Sequence, residues 1–233
     1  MKPYSVLTRR RFLAGAASLS GLAVAGCASV GSVEQGSFQS GVATPSERYL
    51  RMYGSRPDEQ FPIPAVDLRQ VDPKFYRQQV DYPTTEKVGT IIVDTSEFFL
   101  YLVQENGKAL RYGVGLGRAG FGWAGRARVG WKREWPTWTP PQSMIEREPE
   151  LAEWSAQNGG MPPGLDNPLG ARALYIFEGN VDTLYRIHGS PEFWTIGHAV
   201  SSGCVRMMQQ DVIDLYSRVP INTPIVVGTG YIV

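Results

Sequence analysis

Cysteine and histidine are scarce in this chain of 233 residues, at two each. That scarcity speaks against a resident zinc ion, which takes three or four ligands at recognisable spacing. Only His188, His198 and Cys204 fall close together, and the sequence holds no second cluster. The expectation is therefore no metal and no cofactor. A membrane-spanning run is also lacking. The uncharged stretch Phe12–Gly26, rich in Ala, Leu and Gly, has 15 residues, whereas a spanning helix needs about 20. Excess positive charge is missing too, with a formal net charge of +1, so the basic patch of a nucleic-acid binder is not expected.

What is present begins with a targeting pattern. Lys2, Arg9, Arg10 and Arg11 precede the apolar stretch, and 15 residues suit a signal-peptide core. Thr8-Arg9-Arg10-Arg11-Phe12-Leu13 resembles a twin-arginine export signal, which a receptor reads as an address; an ordinary secretory signal with extra arginines is the alternative. Val24-Ala25-Gly26-Cys27 resembles a lipobox, which implies cleavage before Cys27 and acylation of its thiol. Two or more acyl chains would anchor the protein firmly. Cleavage at a nearby small-residue site would instead release a soluble protein. Ala28 after the cysteine suggests the outer membrane. The expected location is thus the periplasm or cell envelope, with membrane contact only through a lipid on Cys27. Without residues 1–27 four positive charges go and no acids, so the balance falls from +1 to −3.

Residues 28–60 are rich in Gly, Ser, Pro and charge and read as a flexible tether with a short helix at Ser46–Tyr53. Residues 61–233 are expected to form one domain with its core over about 88–228, long enough to bury a sizeable interior. Pro62, Pro64, Pro73 and Pro83 make 61–85 an extended outer segment. Strands are expected at Thr90–Asp94, Phe98–Val103, Leu110–Leu116, Ala127–Trp131, Ala173–Phe177, Leu184–His188 and Pro224–Val227. Asn106-Gly107 marks a hairpin, since both residues tolerate positive φ. Val212, Ile213, Leu215, Tyr216 and Val219 recur at helical spacing over Gln209–Val219, and Pro220 follows as a stop. The fold class is mostly β, a β-sandwich or open barrel with one main helix after Cys204. Between the strands lies Glu134–Gly170, with Trp135, Trp138 and Trp154. A long irregular segment inside a compact domain is usually functional, and this one reads as a lid or groove wall.

With Cys27 removed or lipidated, Cys204 is the only thiol, and a leftover cysteine in an exported protein is either reactive or inertly buried. Tyr185–Ile187 reads as a strand with His188 at its C-terminal end. Cys204 sits in Ser-Ser-Gly-Cys just ahead of the helical region. A helix N-terminus and a neighbouring imidazole would both lower the thiol pKa. Attack of the thiolate on a carbonyl would need oxyanion donors, and the backbone N–H groups of Ser202, Gly203 and Cys204 are candidates. One Cys and one His are a weak signal by themselves.

The chain resembles the L,D-transpeptidase (YkuD-type) family of cell-wall enzymes from about Val88 to Val227. The resemblance is carried by His188-Gly189, Gly197, Ser201 and Gly203-Cys204-Val205-Arg206-Met207, against a signature of HG followed by S-H-G-C-(I/V)-R. Trp135–Pro141 (WPTWTPP) and Gly164–Gly170 (GLDNPLG) resemble the ErfK/YbiS-like subgroup that includes murein–lipoprotein-attaching enzymes. The resemblance implies Cys204 as nucleophile, His188 as general base and the Gly189 carbonyl as the group orienting the imidazole. Arg206 is expected to pair with a carboxylate of substrate or of the domain. Ser201, His198 and Trp138 are further candidates for contacting substrate, His198 as a loop residue at the groove edge. One position departs from the pattern: Ser202 stands where the family has histidine. A serine offers the same backbone N–H but carries no proton at neutral pH.

The implied reaction is acyl transfer on peptidoglycan tetrapeptide stems. Cys204 would attack the carbonyl of the third residue at its L-centre, release the terminal D-alanine and pass the acyl group to an amine. An acceptor on another stem gives a 3→3 crosslink; one on an envelope protein attaches that protein to the wall. Water as acceptor makes the enzyme an L,D-carboxypeptidase. A non-catalytic peptidoglycan-binding module using the same groove is the reading from another class.

Overall fold

The computed structural model describes residues 45–117, 124–201 and 203–229. Cys27 and Ser202 lie outside them, as does the side chain of Ser201. Three α-helices, α1 (Glu47–Met52), α2 (Gln142–Ile145) and α3 (Gln209–Arg218), accompany eleven strands among the described residues. These are β1 (Gln78–Asp81), β2 (Ile91–Asp94), β3 (Phe99–Val103), β4 (Lys108–Gly113), β5 (Leu116–Gly117), β6 (Gly125–Glu134), β7 (Arg172–Glu178), β8 (Val181–Ser190), β9 (Ala199–Ser201), β10 (Val205–Met208) and β11 (Pro224–Gly228). Nine strands form one sheet in the order β1-β4-β3-β2-β11-β6-β7-β8-β10, and β5 pairs with β9 in a small second sheet. The domain is mostly β with one main helix, as its sequence implies.

Local chemistry explains the best-defined elements. Asn106 and Gly107 both adopt positive φ, at 59° and 64°, so the β3–β4 hairpin has the turn its sequence demands. Strand β2 (IIVD) is buried on both faces. Ile91 and Val93 join Leu100, Leu102 and Ile225 in one core, while Ile92 joins Tyr101 and Val103 in a second. Helix α3 covers the first core with Val212 and Leu215, each worth roughly 1.5–3 kcal/mol when fully buried. The second core is covered by residues N-terminal to the sheet, among them Tyr53, Leu68, Phe75 and Tyr76.

That covering corrects the expected tether. Of the stretch 28–60, residues 45–60 pack onto the domain. The Tyr53 hydroxyl donates to Asp211 Oδ2 at 3.1 Å and accepts from the Arg77 amide at 2.6 Å. The outer segment 61–85 also contributes an edge strand, β1, paired with β4. Strands β9 and β10 are further additions, and β8 runs two residues beyond His188. The wall Glu134–Gly170 is less irregular than its composition suggests, holding α2 and two 3₁₀ segments, Pro149–Trp154 and Ala156–Asn158.

Candidate active site

The parallel pairing of β10 with β8 brings His188-Gly189 and Cys204-Val205-Arg206 together. Its register sets Val205 beside Ile187 and Arg206 beside His188. Side chains alternate across a strand, so Ile187, Val205 and Met207 enter the core while His188 and Arg206 take the opposite face. Cys204, one residue ahead of Val205, shares that face beside Arg186. Two rows then cross the sheet. Arg133, Ala173, His188 and Arg206 form one; Trp131, Tyr175 and Arg186 form the next, with the Cys204 thiol hydrogen-bonded to the Arg186 backbone amide.

His188, Cys204 and Arg206 open onto a cleft of about 890 Å³. Most of its other lining comes from the Glu134–Gly170 segment, including Trp138, Met144, Arg147, Trp154 and Pro168. This segment is therefore the wall its sequence suggested. The seven-residue stretch GLDNPLG anchors it. Buried Asn167 donates through Nδ2 toward the carbonyls of Pro136, Met161 and Pro162 at 3.0–3.2 Å and accepts the Leu169 amide at 2.9 Å.

The imidazole is fixed in tautomer. His188 Nδ1 lies 2.6 Å from the Gly189 carbonyl oxygen; a carbonyl only accepts, so Nδ1 carries the proton and Nε2 is left basic. Gly189 itself admits no side chain, because a Cβ there would meet Gln209 Oε1 at 2.3 Å. Gln209 Oε1 in turn accepts the Ala171 amide at 2.9 Å, which ties the end of the wall to the start of α3. Burial pushes the His188 pKa down to about 4, with the charges of Arg206 and Arg186 adding to the fall. The Gly189 and Pro168 carbonyls oppose it.

The thiol departs from expectation. Cys204 does not cap a helix: β10 intervenes, and α3 starts only at Gln209. Burial raises the thiol pKa, against the Arg186 backbone amide and the charges of Arg186 and Arg206. The resting pair is thus a neutral thiol and a neutral imidazole. Gly203 is buried with φ at 140°, and a Cβ there would strike Tyr185 Cε1 at 2.9 Å, which is why glycine precedes the cysteine.

Arg206 finds its carboxylate within the domain, in Glu192 Oε2 at 2.6 Å. Glu192 lines the same cleft and had no sequence signal, being 14 residues away in an unremarked turn. Trp138 lies in the lining, as expected. His198 does not: it is exposed and absent from the lining, where Val200 stands instead. The His198 carbonyl accepts from the Leu116 amide at 3.0 Å, just before β9. Among the described residues no group of three or more His, Cys, Asp or Glu could hold a metal ion.

Residues 89–227 match the YkuD family, described as the L,D-transpeptidase catalytic domain. The chain belongs to the L,D-transpeptidase family. Its similar curated relatives include "Probable L,D-transpeptidase ErfK/SrfK" of Escherichia coli K12, 33% identical over 151 residues, covering 63% of this chain and 46% of the relative. "Probable L,D-transpeptidase YbiS" of the same organism is 34% identical over 155 residues with the same coverage. The chain thus spans about half the length of the curated relatives it matches. Among solved structures, one described as a probable carnitine operon oxidoreductase from Brucella melitensis is 46% identical, with coverage of 66% of this chain and 94% of that one, at a TM-score of 0.48. At that TM-score the likeness carries no argument. In this L,D-transpeptidase domain the family match spans both His188 and Cys204.

Proposed function

We propose that the protein is an exported cysteine L,D-transpeptidase that acts on peptidoglycan tetrapeptide stems. The observation that carries this reading is the shared cleft of Cys204 and His188, with Nδ1 of the imidazole committed to the Gly189 carbonyl. Nε2 is then the free lone pair for the thiol proton. As a stem carbonyl approaches, Sγ forms the new bond to carbon while its proton passes to Nε2. The carbonyl oxygen takes the negative charge, and backbone N–H groups around Gly203 and Cys204 are the candidate donors. The tetrahedral centre collapses, the C–N bond to D-alanine breaks, and the departing amine takes the proton back from the imidazolium. The thioester then passes to an amine by the same steps in reverse. Two carbonyls beside the ring, of Gly189 and Pro168, stabilise the imidazolium that forms in between. Ion pairing with Glu192 balances the charge of Arg206 on the cleft wall.

The test is covalent capture. Full-length protein incubated with a carbapenem should gain one adduct mass at Cys204, and Cys204→Ala should gain none while keeping its melting temperature within about 2 °C, since a small thiol contributes little packing. An unmodified wild-type chain would convert the reading to a non-catalytic binding module. Export by the twin-arginine route and a lipid on Cys27 complete the proposal. They rest on Arg9, Arg10, Arg11 and Val24–Cys27, and Cys27→Ser should move the protein from the membrane to the soluble fraction. The acceptor (a stem, an envelope protein or water) is read by comparing muropeptides of cells with and without the gene.

A further inference from the structure

The sheet face that carries the active pair does not end at the walled cleft. Trp131, Tyr175 and Arg186 continue across β6, β7 and β8 in register, and the Arg186 backbone amide hydrogen-bonds the Cys204 thiol at the end of the row. With strands about 4.8 Å apart, Trp131 is about 14 Å from the nucleophile. None of the three lines the cleft, so the row lies outside it. It is also preassembled. Arg133 sits over the Trp131 ring at 5.0 Å, Trp131 packs on Tyr175 at 4.8 Å, and Arg186 sits over Tyr175 at 4.2 Å. Asp182 holds the Arg186 guanidinium with both oxygens, at 2.7 and 2.8 Å. Cross-strand stacking alone would stabilise a sheet, but it does not require the outermost ring to face water. Trp131 is 45% exposed, one of the few large apolar side chains so placed.

Resting on the L,D-transpeptidase reading, we infer that this row is the docking surface for the acyl acceptor, a second peptidoglycan strand. A flat exposed indole matches the C–H face of a pyranose ring. Arg133, packed against the indole, adds positive charge that suits an anionic wall polymer at that end of the row. The length fits as well: a stem of four residues extends to about 13 Å, so a sugar on Trp131 leaves its stem able to reach Cys204. The two surfaces then divide the labour. The walled cleft shields the donor thioester from water, and the open row admits the amine once D-alanine has left.

The experiment uses full-length protein, a disaccharide-tetrapeptide as donor and an excess of disaccharide-tripeptide as acceptor, with products resolved by mass spectrometry. Trp131→Ala should lower the ratio of crosslinked to hydrolysed product by about fivefold or more, while carbapenem still forms its adduct on Cys204. Trp131→Phe should restore most of the ratio. Arg133→Glu, which leaves the stacked rings in place, should lower it too. An unchanged ratio in folded Trp131→Ala and Arg133→Glu overturns the inference. So does a dependence on Trp131 seen only with a lysine-containing peptide as acceptor, since that assigns the row to a protein partner. If wild-type protein forms no Cys204 adduct, the enzymatic reading fails first and the inference falls with it; an adduct without any effect on partition sinks the inference alone.

Discussion

His188 is neutral over most of the physiological range, because a buried imidazolium loses its hydration and faces Arg206 and Arg186. Catalysis in this account needs the neutral base and an un-ionised thiol in the resting enzyme. The acid limb of kcat/KM should therefore fall near pH 4, well below the usual histidine value of 6.5, and titration of the Cys204 thiolate by its ultraviolet absorbance should show none at pH 7. A thiolate signal at neutral pH would mean the pair rests as an ion pair. The same shift enters stability with a definite sign. Below pH 6.5 the unfolded chain protonates its histidine and the folded one does not, so stability drops as pH falls from about 6.5 to about 4. The motif made Cys204, His188 and Gly189 legible, because a thiol, an imidazole and a glycine each have few uses in such a pattern. The direction of the thiol pKa was not legible. It depends on burial and on a strand of four residues, β10, in the stretch between Cys204 and the helix at Gln209 that the sequence left unassigned. Glu192 escaped for a related reason: a lone acid in a turn says nothing until the fold sets it against Arg206.

At the scale of elements, what the sequence conveyed follows length and contrast. Strands β2, β3, β7 and β11 have β-branched or aromatic runs between turns and were legible to within about two residues. Strand β1 (QQVD) is polar and exists only because β4 offers its edge. Strands β9 and β10 flank the site and are too short to show a period of two. The wall was legible as a wall from Trp138 and its prolines, but not its fastening at Asn167. That residue supports a prediction of its own. Asn167→Ala leaves the Leu169 amide and the Pro136 and Pro162 carbonyls without this partner in a buried setting; the Met161 carbonyl keeps the Trp138 amide. Each lost partner costs about 1–3 kcal/mol when water cannot replace it, so a total of at least about 3 kcal/mol is expected by urea denaturation. Loosening the wall should also admit water, raising hydrolysis relative to transfer. A variant with normal stability and normal partition would show that the wall is held by something else.

For the whole molecule, the domain begins earlier than its composition suggests. Glycine, serine and proline made residues 28–60 resemble a tether, yet 45–60 carry the polar fastenings of the sheet. Glu59 bridges buried Arg172 with contacts of 2.8 and 2.9 Å and accepts from Trp135 Nε1 at 3.0 Å. Tyr53 reaches Asp211, and Gln210 Nε2 donates to the Gly54 and Pro64 carbonyls at 3.0 and 3.1 Å. These partners sit at the start of α3, the same turn in which Gln209 backs Gly189 and hence the imidazole. A chain beginning at residue 45 should therefore melt cooperatively, and one beginning at residue 61 should not match it. Loss of Glu59 leaves buried Arg172 with only the longer Glu134 contact at 3.8 Å as its ion pair, at a cost of up to about 3–5 kcal/mol, and loss of Tyr53 uncovers part of the second core. Against a typical stability of 5–15 kcal/mol, the shorter chain should melt at least about 10 °C lower or lose its cooperative transition. Glu59→Ala in the full chain should fall between the two. Equal melting temperatures for chains starting at 45 and 61 would show that residues 45–60 rest on the surface without supporting it, and that α3 is positioned by the sheet alone.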